Sequence, residues 1–259
     1  MILDTIVKKK KEEVANLRAY GIELPEEFRE KDVSPPRGFT DALMKYSGVS
    51  IIAEAKKASP SKGVICEIFR PVEIAEGYQK NGAQAISVLT DVDFFQGALL
   101  YMMQVREAVN LPVLRKDFII DELQIKEASL HGADAILLIA AILDLSQLKE
   151  YQVCAGEYGM DILVEVHDEY ETELALESSA QLIGINNRNL KDFSINLETT
   201  FRLKKLIPAE IPVVSESGLK SGDDIRRLEE SGITAALIGE SLMRAGADSN
   251  FLRDLRGRQ

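Results

Sequence analysis

The chain opens with a helical period and changes to a strand–helix alternation near residue 49. Over residues 2–19, Ile2, Leu3, Ile6, Val7, Val14 and Leu17 approximate one apolar stripe at helical spacing. The run of lysines at 8–11, followed by Glu12 and Glu13, predicts the solvated face of that helix. Gly21, Pro25 and Ser34-Pro35-Pro36-Arg37-Gly38 interrupt the pattern, and a short helix is expected over 39–45. Beyond it, three segments align: Asn81-Gly-Ala-Gln-Ala-Ile, His131-Gly-Ala-Asp-Ala-Ile and Ser231-Gly-Ile-Thr-Ala-Ala. Each sets a helix-ending glycine before an apolar strand. Those glycines stand at 82, 132 and 232, intervals of 50 and 100 residues, which are multiples of a strand-plus-helix unit of about 25. The third of these strands is 235–239, and five further strands are expected at 49–56, 112–118, 161–167, 182–188 and 212–217, separated by helical patterns that include 71–80, 121–130 and 223–230.

Eight βα units imply an α/β protein with a parallel sheet, either an open doubly wound sheet or a closed barrel. Such barrels typically take about 250 residues, which fits one domain over 1–259, with a helical extension at 1–48 and the barrel from about 49. No GxGxxG follows the first strand, which weakens a dinucleotide-binding reading. The expected fold is therefore a (β/α)8 TIM barrel with an N-terminal helical extension.

Composition narrows the partners. Hydrophobic residues make up 46% and charged residues 28% of the 259 positions, as in ordinary globular proteins. A formal net charge of -11 argues against nucleic-acid or anionic-membrane partners, although a local pocket can still be cationic. Cys66 and Cys154 have no metal-type spacing and suggest no disulfide framework. The opening MILDTIVKKKK does not read as a signal peptide, and no apolar run approaches membrane-spanning length. A cytoplasmic enzyme is the expectation.

In a βα barrel the site forms at the C-terminal ends of the strands. Polar residues gather there: Glu54 and Lys56, Lys116, Glu165, Asn186 and Arg188, and Glu216 with Ser217. The preceding halves of the same strands are almost wholly apolar. Alternation puts Leu114, Lys116 and Phe118 on one face and Val113, Arg115 and Asp117 on the other. An inward Lys116 is a candidate general acid; burial lowers its pKa and nearby carboxylates raise it. Gly218 and Gly239 lie after the seventh and eighth strands, where such barrels often bind phosphate through backbone N–H groups, and Ser59 and Ser61 could add hydroxyls. Glu165 and His167 alone do not make a metal site, and His131 lies at the opposite end of the barrel.

The motifs IIAEAKKASPSKG, LRKDF, GADAILLIA, LVEVHDE, GINNRNL, SESG and IGESLM occur in order at the strand ends. With them the chain resembles the indole-3-glycerol-phosphate synthase family over essentially its whole length. The resemblance implies ring closure of 1-(2-carboxyphenylamino)-1-deoxyribulose 5-phosphate with loss of carbon dioxide and water, and no cofactor or metal. By motif, Lys116 would be the general acid, Lys56 held by Glu54 would engage the substrate carboxylate, and Glu165 would move protons during dehydration. Asn186, Glu216 and Ser217 would orient the substrate, with Arg188 as cationic support. Ser59, Gly218, Gly239 and the backbone at Glu240 and Ser241 would cradle the phosphate. Phe95, Phe118, Leu137 and Leu190 would line the aromatic pocket. The expected partner is this small anionic molecule, for a monomer whose association with other tryptophan-pathway enzymes is left open. Rival readings are another phosphate-binding barrel, a sugar-phosphate isomerase or a Schiff-base aldolase, or a non-catalytic protein on the same fold.

Overall fold

The computed structural model of the chain describes residues 2–190, 192–246 and 250–255. Eight parallel strands close into a barrel: Ser50–Ala55, Ala85–Leu89, Val113–Lys116, Ala135–Ile139, Asp161–Val166, Ile183–Asn186, Val213–Glu216 and Ala235–Ile238. They are taken here in that order as the first to the eighth. Closure is made by the first strand pairing with the eighth, Ser50 opposite Ala235 and Ala53 opposite Ile238. All eight strands come where alternation predicts them, but most end a residue or two early. Lys56, Phe118, His167, Arg188 and Ser217 lie just past their strands.

Glycines close the helix-to-strand turns. Gly82, Gly132 and Gly232 adopt φ of 91°, 78° and 69°, a left-handed conformation that costs glycine little. At the opposite ends Asp121, Asp144, Asp168 and Ser221 accept backbone N–H groups and start their helices.

The core has two shells. Outward-facing strand residues such as Ile51, Ile86, Ile136 and Val164 pack under the surrounding helices. Inward-facing Ile52, Leu114, Leu163 and Val214, one from each odd strand, form a buried ring inside the barrel, as barrel interiors are layered. Below this ring the short helix α2, Phe39–Met44, plugs the barrel with Phe39 and Leu43, 0% and 1% exposed. The extension is fastened to this end by Arg37, which donates to the carbonyls of Arg106, Val109 and Leu111.

Helix α1, Ile2–Tyr20, lies across the mouth instead, and it corrects one expectation. Lys10 is not on a solvated face. It is 1% exposed, in line with buried Ile6 and Val14, and its ammonium lies 2.9 Å from carboxylate oxygens of Glu13, Asp91 and Asp117. Burial alone would lower its pKa, but Asp117 and Asp91 outweigh that and hold it above the usual lysine range. A lysine three or four residues from two apolar positions belongs to their stripe whenever a carboxylate waits beneath it. Its neighbours Lys8, Lys9 and Lys11 do keep substantial solvent contact or half-buried positions, as expected of a charged run.

Candidate active site

One step above the apolar ring the same four strands present Glu54, Lys116, Glu165 and Glu216. Each follows its ring residue by two positions and so points the same way. The barrel therefore carries a layer of three carboxylates and one ammonium directly on hydrocarbon. Lys116 Nζ donates to Glu165 Oε2 at 2.8 Å and stands 3.5 Å from Glu216 Oε2. Lys56 Nζ donates to Glu54 Oε2 at 2.6 Å. Beyond Glu165, His167 Nε2 is 3.3 Å from Glu165 Oε1, and His167 Nδ1 lies 2.9 Å from Glu171 Oε2.

Burial and mutual charge set these groups apart. Burial would drag the Lys116 ammonium down, but Glu165, Glu216 and Glu54 raise its pKa above the usual range. Glu165 is pushed up by burial and pulled further down by Lys116 and His167, so it is held ionised. Glu216 has the opposite fate. Burial, reinforced by Glu165 and Glu54, outweighs the attraction of Lys116 and pushes it up to about 8. Its Oε1 has no hydrogen-bond partner among the described residues. His167, lowered by burial, is carried by Glu165 and Glu171 to about 10 and is an imidazolium at neutral pH. The layer thus holds two carboxylates of nearly equal depth in different protonation states, which is the arrangement that acid–base chemistry needs.

Space for the carboxylates comes from glycine. A Cβ on Gly184 would stand inside 3.0 Å of Glu216 Oε1, and one on Gly239 inside 3.0 Å of Glu54 Oε2. Asn187, on the outward face of the sixth strand's end, is the other silent support. Its amide donates to Ser215 Oγ and the carbonyls of Glu216 and Ser217, while its oxygen accepts from Thr200. Ser217 is held at φ 67°, a strained setting for a residue with a Cβ, and its hydroxyl donates to Asn186 Oδ1 at 2.9 Å.

A cavity of about 480 Å³ opens over this layer, and every candidate residue from the sequence borders it. One side is aromatic and aliphatic: Phe95 and Phe118, with ring centroids 6.0 Å apart, join Leu137 and Leu190. Arg188 stands between, its Nη1 near the carbonyl of Phe193. The other side is backbone and hydroxyl: Ser59, Gly218, Gly239, Glu240 and Ser241. There the short helix Glu240–Ala245 begins its ladder with Met243 N–H on the Gly239 carbonyl, so the amides of Glu240, Ser241 and Leu242 precede it. The side chain of Glu240 pairs with Arg244 at 3.0 Å and does not compete for an anion. Ser241 Oγ donates to the Leu219 carbonyl, tying the seventh loop to the eighth.

Several lining residues were not foreseen. Ile2, Leu3 and Ile6 of α1 form a wall, and Lys62, Lys220 and Arg244 add cations at the backbone-lined end. The apolar stripe of α1 was visible in the sequence, but nothing there says that it covers the mouth. Among the described residues no three His, Cys, Asp or Glu side chains are grouped to hold a metal ion, and no helix is long and apolar enough to cross a membrane.

A (β/α)8 barrel whose mouth joins a lysine–carboxylate layer to an apolar pocket and a backbone-amide cradle defines an acid–base barrel enzyme. The family model for indole-3-glycerol phosphate synthase matches residues 3–255. The chain belongs to the indole-3-glycerol phosphate synthase family. A protein described by that name from Desulfotalea psychrophila is 68% identical over 254 residues, 98% of each chain. Another of that name from Chlorobium phaeovibrioides is 52% identical over 243 residues, 93% of each. Among solved structures, the crystal structure of KGPDC from Streptococcus mutans superposes with a TM-score of 0.62 at 13% identity, over 82% of this chain and 97% of that one. At that identity the likeness shows the barrel fold alone.

Proposed function

We propose that the cavity closes the indole ring of 1-(2-carboxyphenylamino)-1-deoxyribulose 5-phosphate, with the residues above in the following roles. Lys116 gives its proton to the ketone oxygen as the ring carbon that bears the carboxylate bonds to the carbonyl carbon. The new alkoxide would otherwise form over hydrocarbon, so a donor already charged and aimed there lowers the barrier most. The ring then regains aromaticity by losing carbon dioxide, its electron pair returning from the broken bond. Loss of the hydroxyl as water, with a proton from the adjacent carbon, completes the indole. Glu165 handles a proton in that last stage, 2.8 Å from Lys116, so the two can exchange it without bulk water.

Lys56, steadied by Glu54, meets the substrate carboxylate, with Arg188 as a second cation. Asn186, Glu216 and Ser217 orient the ribulose hydroxyls. The rings of Phe95 and Phe118 with Leu137 and Leu190 hold the aromatic half, and Ser59, Gly218, Gly239 and the amides at Glu240 and Ser241 take the phosphate. The chain is accordingly a carboxy-lyase of tryptophan biosynthesis. We assign it to the cytoplasm.

The observation that carries this assignment of roles is the Lys116–Glu165 hydrogen bond placed between an aromatic pocket and an amide-lined end. It also counts against a Schiff-base aldolase, because Lys116 held as an ammonium has no lone pair to attack a carbonyl. Purified protein given the carboxyphenylamino deoxyribulose phosphate without added metal should develop indole absorbance. Folded protein that gives none would refute the reading.

A further inference from the structure

Lys10 connects the N-terminal helix to the aromatic pocket through a short chain of contacts. Its ammonium bridges Asp91, in the loop after the second strand, and Asp117, directly after Lys116, at 2.9 Å to each. Asp91 and Asp117 are 0% and 3% exposed. Asp91 spends its other oxygen on the loop that carries one ring: Oδ1 accepts the N–H groups of Phe94 at 2.7 Å and Phe95 at 3.2 Å. Asp117 holds the other ring with the same oxygen that faces Lys10, its Oδ1 accepting Phe118 N–H at 2.8 Å. The remaining Asp117 oxygen is taken by Thr90 and Arg115, so that carboxylate is fixed from both sides. Each ring backbone is thus one carboxylate away from a single buried ammonium.

We infer that Lys10 is a positioning residue: it sets the spacing of Phe95 and Phe118 and so the enzyme's hold on the aromatic half of its substrate. Docking of α1 alone does not require a charge at this position. Ile6 and Val14 bury apolar side chains one turn away on either side, and apolar residues often replace buried ion networks without loss of stability. A network kept at a cost in desolvation, and ending on the backbone amides of two facing rings, fixes geometry rather than stability. The loop it holds is itself closed tightly, with Gly97 N–H on the Asp91 carbonyl at 2.7 Å, so pulling on Asp91 moves Phe95 with it. The inference rests on the aromatic subsite proposed above.

The test compares Lys10→Met, Asp91→Asn, Lys9→Ala and Phe95→Ala with the unaltered protein, reading kcat/KM for the full substrate and competitive inhibition by inorganic phosphate. Phosphate would occupy the amide-lined end proposed above, so it reports on that end and not on the aromatic pocket. Lys10→Met should lower kcat/KM at least tenfold while the phosphate inhibition constant stays within twofold. Lys9, half-buried and 3.3 Å from Asp93 of the same loop, should change neither quantity when replaced by alanine. Asp91→Asn keeps the acceptor for Phe94 and Phe95 but weakens the ion pair; it should lose severalfold on the same substrate-only pattern, and it decides the matter if Lys10→Met does not fold. Unchanged kcat/KM, parallel loss of substrate and phosphate affinity, or an equal loss in Lys9→Ala would overturn the inference. An active unaltered protein whose Phe95→Ala variant is unimpaired would instead overturn the aromatic subsite itself.

Discussion

Gly184→Ala is the substitution whose effect follows most directly from the geometry. The residue sits in the sixth strand with its absent side chain facing Glu216, in a backbone conformation that alanine tolerates, so no backbone strain enters. An added Cβ would come within 3.0 Å of Glu216 Oε1 and 3.2 Å from Leu163 Cδ1. Relief requires the carboxylate to withdraw by about 1 Å toward ordinary van der Waals separation. Because the obstructing atom is the free end of a flexible side chain, the cost to folding is at the low end of overpacking, about 1 kcal/mol. The cost to catalysis is larger. Glu216 lies 3.5 Å from Lys116, and a displacement of that size in a reacting constellation lowers rate by about a hundredfold, or about 2.7 kcal/mol of transition-state stabilisation. Continuous measurement of indole formation, paired with thermal unfolding followed by circular dichroism, separates the two costs. Gly156→Ala is the control: it lies in a helix, Leu145–Glu157, where a Cβ would meet nothing within 4 Å, so activity should be unchanged. Folded Gly184→Ala protein with kcat/KM within about threefold of the unaltered enzyme would refute the steric reasoning.

Three further outcomes are expected. Lys116→Met should retain its circular dichroism spectrum and lose kcat by about 10² to 10⁴, the usual worth of a positioned general acid; near-normal kcat would remove Lys116 from that role. His167 has its folded pKa raised to about 10, above the ordinary 6.5, so its stabilisation is fully present below about pH 6.5 and is lost as pH rises through 10. Urea unfolding at pH 6 and pH 10.5 should therefore show Gln in place of His167 costing stability at the lower pH and much less at the higher, and a cost that grows with pH would contradict the pairing with Glu165 and Glu171. Lys220→Ala should raise KM by up to about fivefold, the scale of one exposed ion contact, and leave kcat nearly unchanged; a fall in kcat at saturating substrate would place Lys220 nearer the chemistry.

The charged layer was legible in the sequence because Glu54, Lys116, Glu165 and Glu216 each interrupt an apolar strand at the end where a barrel builds its site. Strand alternation then fixes their direction without coordinates. The glycine signals at 82, 132 and 232 gave the repeat for a similar reason, since each marks a backbone turn of left-handed φ. Lys10 was misread because a lysine run on a helix resembles a solvated face, and its partners Asp91 and Asp117 are distant in the chain. Gly184 and Asn187 were missed because their importance lies in what leans over or beneath them. Charge in an apolar strand is a local signal, whereas room for a carboxylate is a tertiary one.

The position of Lys10 also bears on how the chain is made. A polypeptide emerging from its N-terminus releases α1 long before Asp91 and Asp117 exist to receive it. Most helical stability in proteins comes from packing an apolar face, and the 19-residue α1 gains that packing only once the third strand has been made. The final closure waits longer still, because Ser50 pairs with Ala235 and such long-range pairing slows folding. Helix α1 thus precedes in the chain both the carboxylates that receive it and the strand that closes the barrel.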